Sequence, residues 1–142
     1  MASSGVGIKL VSLIVKDYDD AVRFFVDKLG FELSTDEPAT TSHSNKPKRW
    51  VVVRPPGSPE DCGILLARAE GAEQEAAAGS QWAGRVGLFW QVADFEATHA
   101  RMKNAGVEFL GSPRDEPYGK VVVFKDVAGN KWDLLGPRPT RG

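Results

Sequence analysis

The chain has 142 residues, of which 42% are hydrophobic, so it can bury one substantial core but not a second full domain. Its 18 basic and 19 acidic residues give a formal net charge of −1 without a long run of either sign, which argues against nucleic acid or an anionic membrane surface as a partner. No secretory signal or membrane-spanning run is recognisable, so we expect a cytoplasmic protein.

The first half of the chain has the pattern of a strand, a helix and three further strands. Residues 7–16 alternate as a half-buried strand that places Ser12 on one of its two faces. Asp17 is expected to cap a helix that ends at Gly30, where glycine adopts the left-handed conformation without steric cost. The helix is predicted over residues 18–29, short strands over 31–34, 50–54 and 63–67, and a polar loop over 35–48.

The second half repeats this order after a linker over residues 68–84, part of which favours a helical turn or two. Asp94 and Gly106 are expected to cap the two ends of the second helix, as Asp17 and Gly30 cap the first. Strands are predicted over residues 85–92, 108–110, 120–125 and 130–135, a helix over 95–105 and a loop over 111–118. One copy cannot bury both faces of its sheet, so the two copies must share a core. The sequence therefore predicts a single α+β domain over residues 1–142, with modules at about 7–67 and 85–136.

Two βαβββ units in series, a Val-x-Asp before each helix and the run Asp126-x-x-Gly129-Asn130-x-x-Asp133 resemble the vicinal oxygen chelate superfamily. That superfamily includes glyoxalase I, extradiol dioxygenases, methylmalonyl-CoA epimerase and the bleomycin and fosfomycin resistance proteins. The resemblance covers about residues 8–136. It implies two tandem modules that form a cupped, partly open mixed β-barrel with helices on the outside, a ligand site in the cup and a homodimer.

Metal-using members of that superfamily carry ligands at inward-facing strand positions, and this chain departs from the pattern at most of them. The histidine expected seven residues before each capping aspartate corresponds to Leu10 and Gly87. The fourth strand, over residues 64–67, offers no oxygen or nitrogen side chain, and only Asp133 keeps a carboxylate. A catalytic zinc needs about three protein ligands, and hard cations need several oxygens. We therefore predict no metal at these positions and no cofactor, while a divalent metal bound through other positions stays open.

Strand alternation and loop composition indicate the residues that would contact a ligand. Positions that share a face with Leu10, Gly87 or Asp133 point into the cup, whereas Trp90 and Trp132 have the opposite parity and point toward the helices. Trp50 and Trp82 fit either a core or a pocket position. The predicted ligand-binding residues are Ser12, Trp50, Trp82, Arg85, Phe89, Gln91, Arg114 and Tyr118. The last two lie in the loop that borders the active site in the superfamily, although an ion pair with a neighbouring carboxylate is an equal alternative for Arg114.

Binding and catalysis are both open at this stage. Loss of the ligand positions favours a small-molecule-binding protein with a degenerate metal site that holds a polar or aromatic organic ligand. The alternative is a diverged glyoxalase-like lyase or isomerase in which Asp133 abstracts a proton, with or without a divalent metal, because desolvation raises the pKa of a carboxyl group in an apolar cup. A third hypothesis is a protein-interaction scaffold without a small ligand.

Overall fold

The computed structural model describes residues 6–39, 47–57 and 61–137. The chain divides into two compact units, with the boundary between Ala78 and Gly79. Within the described ranges, each unit contains one four-stranded mixed sheet and a helix between its first two strands, which confirms the predicted α+β fold with two βαβββ modules in series. No helix in these ranges is long and apolar enough to span a lipid bilayer.

The first unit orders its strands β1-β4-β3-β2, with β1 and β4 parallel and the other pairs antiparallel. Its elements are β1 (Leu10–Val15), α1 (Tyr18–Arg23), β2 (Glu32–Pro38), β3 (Arg49–Arg54), β4 (Gly63–Arg68) and α2 (Gly71–Ala77). Asp17 caps α1 as predicted, since its Oδ2 accepts a hydrogen bond from the backbone N–H of Asp20 at 2.8 Å. The helix continues as a π-helical turn over Phe24–Lys28, and Gly30 follows with φ +77°.

The second unit repeats this arrangement with strand order β5-β8-β7-β6 and a parallel β5–β8 pair. Its elements are β5 (Val86–Gln91), α3 (Phe95–Asn104), β6 (Phe109–Glu116), β7 (Gly119–Lys125) and β8 (Lys131–Leu135). Asp94 caps α3 by accepting a hydrogen bond from the backbone N–H of Ala97 at 3.0 Å. The two caps and the repeated strand order confirm that the second half repeats the first.

One face of each sheet packs against the helix of its own unit, and these faces form the cores. On this face of the first sheet the buried residues are Leu13, Val15, Val51, Val53, Ile64 and Leu66. On this face of the second sheet they are Trp90, Val122, Phe124, Trp132 and Leu134, which confirms the core positions of the two tryptophans. We call the other face of each sheet, which carries Ser12 and Leu65 in the first unit and Phe89 and Asp133 in the second, its distal face.

Two segments predicted as loops are partly strand. β2 extends to Pro38 and β6 to Glu116, so the predictions of loops over residues 35–48 and 111–118 are wrong for these parts. Both are edge strands, where proline and a bulge are tolerated because the outer N–H groups need no strand partner. Their registers shift between Leu33 and Thr35 and between Leu110 and Arg114. The middle of the first predicted loop lies outside the described residues.

The turn between β7 and β8 is organised by the carboxylate of Asp126. Its Oδ1 accepts hydrogen bonds from the backbone N–H groups of Ala128, Gly129 and Asn130 at 2.9, 3.0 and 3.0 Å. Its Oδ2 accepts hydrogen bonds from Asn130 Nδ2 at 3.3 Å and from Trp132 Nε1 at 2.9 Å. These contacts fix the start of β8 and thereby the register that places Asp133.

Candidate ligand-binding site

Asp133 lies in the middle of β8 on the distal face of the second sheet. Its strand neighbours are Phe89 on β5 and Val123 on β7. Asp133 is only 6% exposed, whereas Phe89 is 64% exposed. A buried carboxylate therefore lies beside an exposed aromatic ring, as the predicted parity requires.

The buried carboxylate of Asp133 is not fully satisfied. Within the described part of the chain, its Oδ1 receives no hydrogen bond. Burial raises the pKa of Asp133 above its ordinary value, and the positive charge of Arg114 acts in the opposite direction. This group can accept a hydrogen bond from a bound molecule or take up a proton.

Arg114 lies on β6, on the same distal face as Asp133. Strand pairing aligns it with Val121, Leu135 and Gln91, two residues further along the sheet than the row of Asp133. Its Nε donates a hydrogen bond to Glu116 Oε1 at 2.8 Å. This hydrogen bond, with a smaller effect of the Tyr118 hydroxyl, raises the pKa of the Arg114 guanidinium.

The structure thus places five of the predicted site residues in the second unit, four of them on the distal face of its sheet and Tyr118 in the turn after β6. They are Phe89, Gln91, Arg114, Tyr118 and Asp133. The alternative predicted for Arg114, an ion pair with a neighbouring carboxylate, is present too, through Glu116. Because the guanidinium is held by Glu116, it is positioned while its charge still acts on Asp133. The positioning role of Glu116 was not predicted, although its place two residues after Arg114 on the same strand was a usable signal.

Trp82 packs directly on the backbone of β5. The β5–β8 register shifts between Val86 and Leu88, which leaves Gly87 as an extra residue in a bulge. A Cβ atom built on Gly87 would lie 2.1 Å from Cδ2 of the Trp82 indole, far inside van der Waals contact. Trp82 therefore occupies the space that a side chain at position 87 would need.

Arg85 does not belong to the strand from which its orientation was predicted. β5 begins at Val86, and Arg85 is exposed in the bend before it. The bulge at Gly87 also interrupts the alternation that related Arg85 to Phe89, so that parity argument is wrong. A contact between Arg85 and a ligand stays a prediction without this support.

Ser12 and Trp50 line a separate pocket of about 310 Å³ in the first unit. The same pocket contains Lys48, Arg68 and Gln74, which the sequence analysis did not identify as site residues. Their convergence depends on the pairing of β3 with β4 and on the position of α2, and neither leaves a local sequence signal. The predicted site residues therefore fall into two groups, one in each unit.

The side chains present do not fit a divalent metal at the superfamily positions. Among the described residues, no three His, Cys, Asp or Glu side chains lie close enough together to hold an ion. Trp82 fills the space at Gly87, and Asp133 lacks a second ligand. His99 packs against the rings of Phe95 and Phe109, at centroid distances of 5.8 and 4.6 Å. His43 lies outside the described residues.

Comparison with known proteins agrees with this architecture. The family model of the Glyoxalase/Bleomycin resistance protein/Dioxygenase superfamily matches residues 7–134, and the chain belongs to this superfamily. An "Uncharacterized protein" of Shewanella frigidimarina is 46% identical over 125 residues, which cover 88% of this chain and 89% of that protein. The Bacillus subtilis protein YetH is 32% identical over 124 residues, covering 87% of this chain and 92% of YetH.

Among solved structures, the chain is similar to TnmS3, an antibiotic binding protein from Streptomyces sp. CB03234. The two share 30% sequence identity with a TM-score of 0.71. The match covers 96% of this chain and 98% of TnmS3. The likeness therefore includes both βαβββ modules.

Proposed function

We propose that this protein binds a small aromatic molecule that donates a hydrogen bond, and that the molecule lies on the distal face of the second sheet. The observation that carries the proposal is the buried Oδ1 of Asp133, which receives no hydrogen bond within the described residues. A buried acceptor without a donor costs about 1–3 kcal/mol. A hydroxyl or amino group of a ligand would recover this free energy.

The surroundings of Asp133 define the rest of the ligand. The ring of Phe89, 64% exposed, offers an apolar surface against which a flat molecule can stack. Arg114 and Tyr118 supply polar groups on the other side, suited to a carbonyl or hydroxyl oxygen. A few polar groups around an apolar surface are typical of small-molecule sites.

The similarity to TnmS3 supports binding as the function, because that protein is an antibiotic binding protein and its chain matches this one over nearly its whole length. The lack of fit to a metal at the superfamily positions is consistent with binding that needs no metal. The homodimer and the cytoplasmic location expected from the sequence stay predictions.

A pair of probes tests the hydrogen bond to Asp133. We expect 2-naphthol to bind with a Kd below about 1 mM, and 2-methoxynaphthalene, which lacks the donor, to bind at least about tenfold more weakly. Asp133→Leu removes the acceptor at similar volume and should weaken 2-naphthol binding by a similar factor. Isothermal titration calorimetry measures both effects.

Asp115→Asn is the matched control, because the Asp115 side chain is 88% exposed in the same unit. It should leave the affinity for 2-naphthol unchanged. Equal affinity for the two probes, or unchanged binding by the Asp133→Leu variant, would show that Asp133 does not hold the ligand. Circular dichroism of each variant checks that the fold is intact.

The raised pKa of Asp133 favours a second candidate function, proton abstraction from a C–H group next to a carbonyl. The carboxylate would take the proton, the electron pair of the C–H bond would move into the carbonyl, and Arg114 would stabilise the resulting enolate. Phenylpyruvate in D2O is the probe, with deuterium incorporation at its methylene carbon followed by NMR. We expect the protein-dependent rate of deuterium exchange to rise with pH through the pKa of Asp133, because only the ionised carboxylate is a base. Burial places this pKa above the ordinary value of 3.8. An Asp133→Asn variant that exchanges as fast as the unmodified protein would exclude this role.

A further inference from the structure

The pocket in the first unit is built mainly from polar and aromatic side chains. It has a volume of about 310 Å³, and its lining includes Ser12, Tyr18, Lys48, Trp50, Arg68 and Gln74. It lies where β3 begins and β4 ends, at Arg49 and Arg68. No residue of the Asp133 cluster belongs to it.

The Arg49 guanidinium is already committed to neighbouring carboxylates. Its Nε and Nη2 donate hydrogen bonds to Asp36 at 3.1 and 2.7 Å, and its Nη1 donates to Asp19 at 2.9 Å. Its backbone N–H donates to the Tyr18 hydroxyl at 3.2 Å. Arg49 therefore fixes the wall of the pocket and contributes little free charge to it.

Arg68 is held in place but retains an unused donor. Its Nη2 donates a hydrogen bond to the carbonyl of Pro47 at 2.9 Å and lies 3.6 Å from Glu70 Oε1. Its guanidinium carbon is 5.0 Å from the centre of the Tyr18 ring. Its Nε is buried and has no acceptor within the described parts of the chain. A charged N–H group without an acceptor is costly in the folded protein, and a ligand oxygen would satisfy it.

The remaining lining defines the charge and shape of the occupant. Among the described lining residues, three are basic and only Glu70 is acidic, so the pocket favours an anion. Glu70 beside Arg68 disfavours a doubly charged group, which would meet a like charge at close range. Trp50 is 44% exposed and presents an indole for stacking, and Leu65 and Ala67 supply apolar surface.

We propose that this pocket binds an aromatic carboxylate, with the carboxylate on Arg68 Nε and Lys48 and the ring against Trp50. A volume of about 310 Å³ accommodates a molecule of one or two rings. The pocket lies in the first unit and the Asp133 cluster in the second.

Titration of the full ¹⁵N-labelled chain with benzoate tests the proposal. We expect benzoate to shift the indole N–H signal of Trp50, assigned by its loss in Trp50→Phe, and the Nε–H signal of Arg68. The Kd should lie in the millimolar range, since benzoate is small. Benzamide, which keeps the ring but lacks the charge, and inorganic phosphate, which lacks the ring, should each bind at least about fivefold more weakly.

Variants of the two cations assign the contact. Arg68→Met should weaken benzoate binding by about tenfold and Lys48→Met by about threefold, because a charge-assisted hydrogen bond is stronger than a longer-range charge contact. Because Arg68 also packs on Tyr18, the Lys48 variant provides a second test should Arg68→Met fail to fold. Arg54→Met is the matched control in the same sheet, since Arg54 bonds to Ser34 and to the carbonyl of Asp61 and does not line the pocket.

Asp133→Leu should leave benzoate binding unchanged, which separates this site from the proposed naphthol site. Benzoate affinity that is unchanged in both Arg68→Met and Lys48→Met would overturn the proposal. Equal binding of benzamide would refute the role of charge, and equal binding of phosphate would refute the role of the ring.

Discussion

Replacing Asp126 with alanine is expected to lower the free energy of unfolding by about 3 kcal/mol or more. Its carboxylate accepts five hydrogen bonds within the described chain, three of them from consecutive backbone N–H groups of the turn. Alanine would remove the acceptor of the buried N–H groups of Asn130 and of the Trp132 indole. Proteins of this size are stabilised by only about 5–15 kcal/mol, so the loss is a large share of the total. Urea denaturation followed by circular dichroism measures it.

Asp115→Ala is the control for this prediction. The Asp115 side chain is 88% exposed, and its ion-pair partner Lys120 Nζ is 3.9 Å away, so we expect a change of less than about 0.5 kcal/mol. Asp126→Asn should fall between the two, since its amide oxygen can still accept from the backbone but its NH₂ group opposes other donors. A loss of under about 1 kcal/mol in Asp126→Ala would contradict the assigned role of the carboxylate.

Gly79→Ala is expected to cost about 2–4 kcal/mol of unfolding free energy. Gly79 has φ +86°, which strains any L side chain, and an added Cβ would lie 2.2 Å from the carbonyl oxygen of Ala128. That oxygen belongs to the backbone of the Asp126 turn, so relief requires movement of the turn itself. Thermal and urea unfolding of the variant quantify the cost.

The Gly71→Ala variant separates the cost of the backbone conformation from the cost of the steric contact at Gly79. Gly71 has nearly the same φ, +85°, but no described atom lies within 4 Å of an added Cβ. Its substitution should therefore cost only about 1 kcal/mol, from the backbone conformation alone. If the two alanine variants are equally stable, the contact between Gly79 and the turn does not contribute.

Local signals explain which parts of the fold were predictable. The two helix caps and the buried Trp90 and Trp132 follow from side-chain chemistry and period-two alternation within a few residues. The extensions of β2 and β6 were missed because Pro38 and Pro113 indicate loops locally. Only pairing with a distant strand makes such segments part of a sheet edge.

In the candidate site, too, features set by local alternation were predictable and features set by distant contacts were not. Alternation placed Phe89, Gln91 and Asp133 on one face correctly, because the parallel β5–β8 pairing is regular from Leu88 onward. The same alternation gave the wrong face for Arg85. Gly87 is an extra residue in β5, so the residues before it point to the opposite face from the one that alternation predicts. The pocket around Arg68 was not foreseen, since it forms only when three strands and two helices converge.

The packing of Trp82 on Gly87 limits which residues position 87 can accept. A histidine at position 87, where metal-using relatives carry a ligand, cannot be accommodated while the indole stays in place. Truncating Trp82 first would uncover the β5 backbone before any ligand exists to justify the loss. A side chain at position 87 therefore requires two coupled substitutions, the first of them unfavourable by itself.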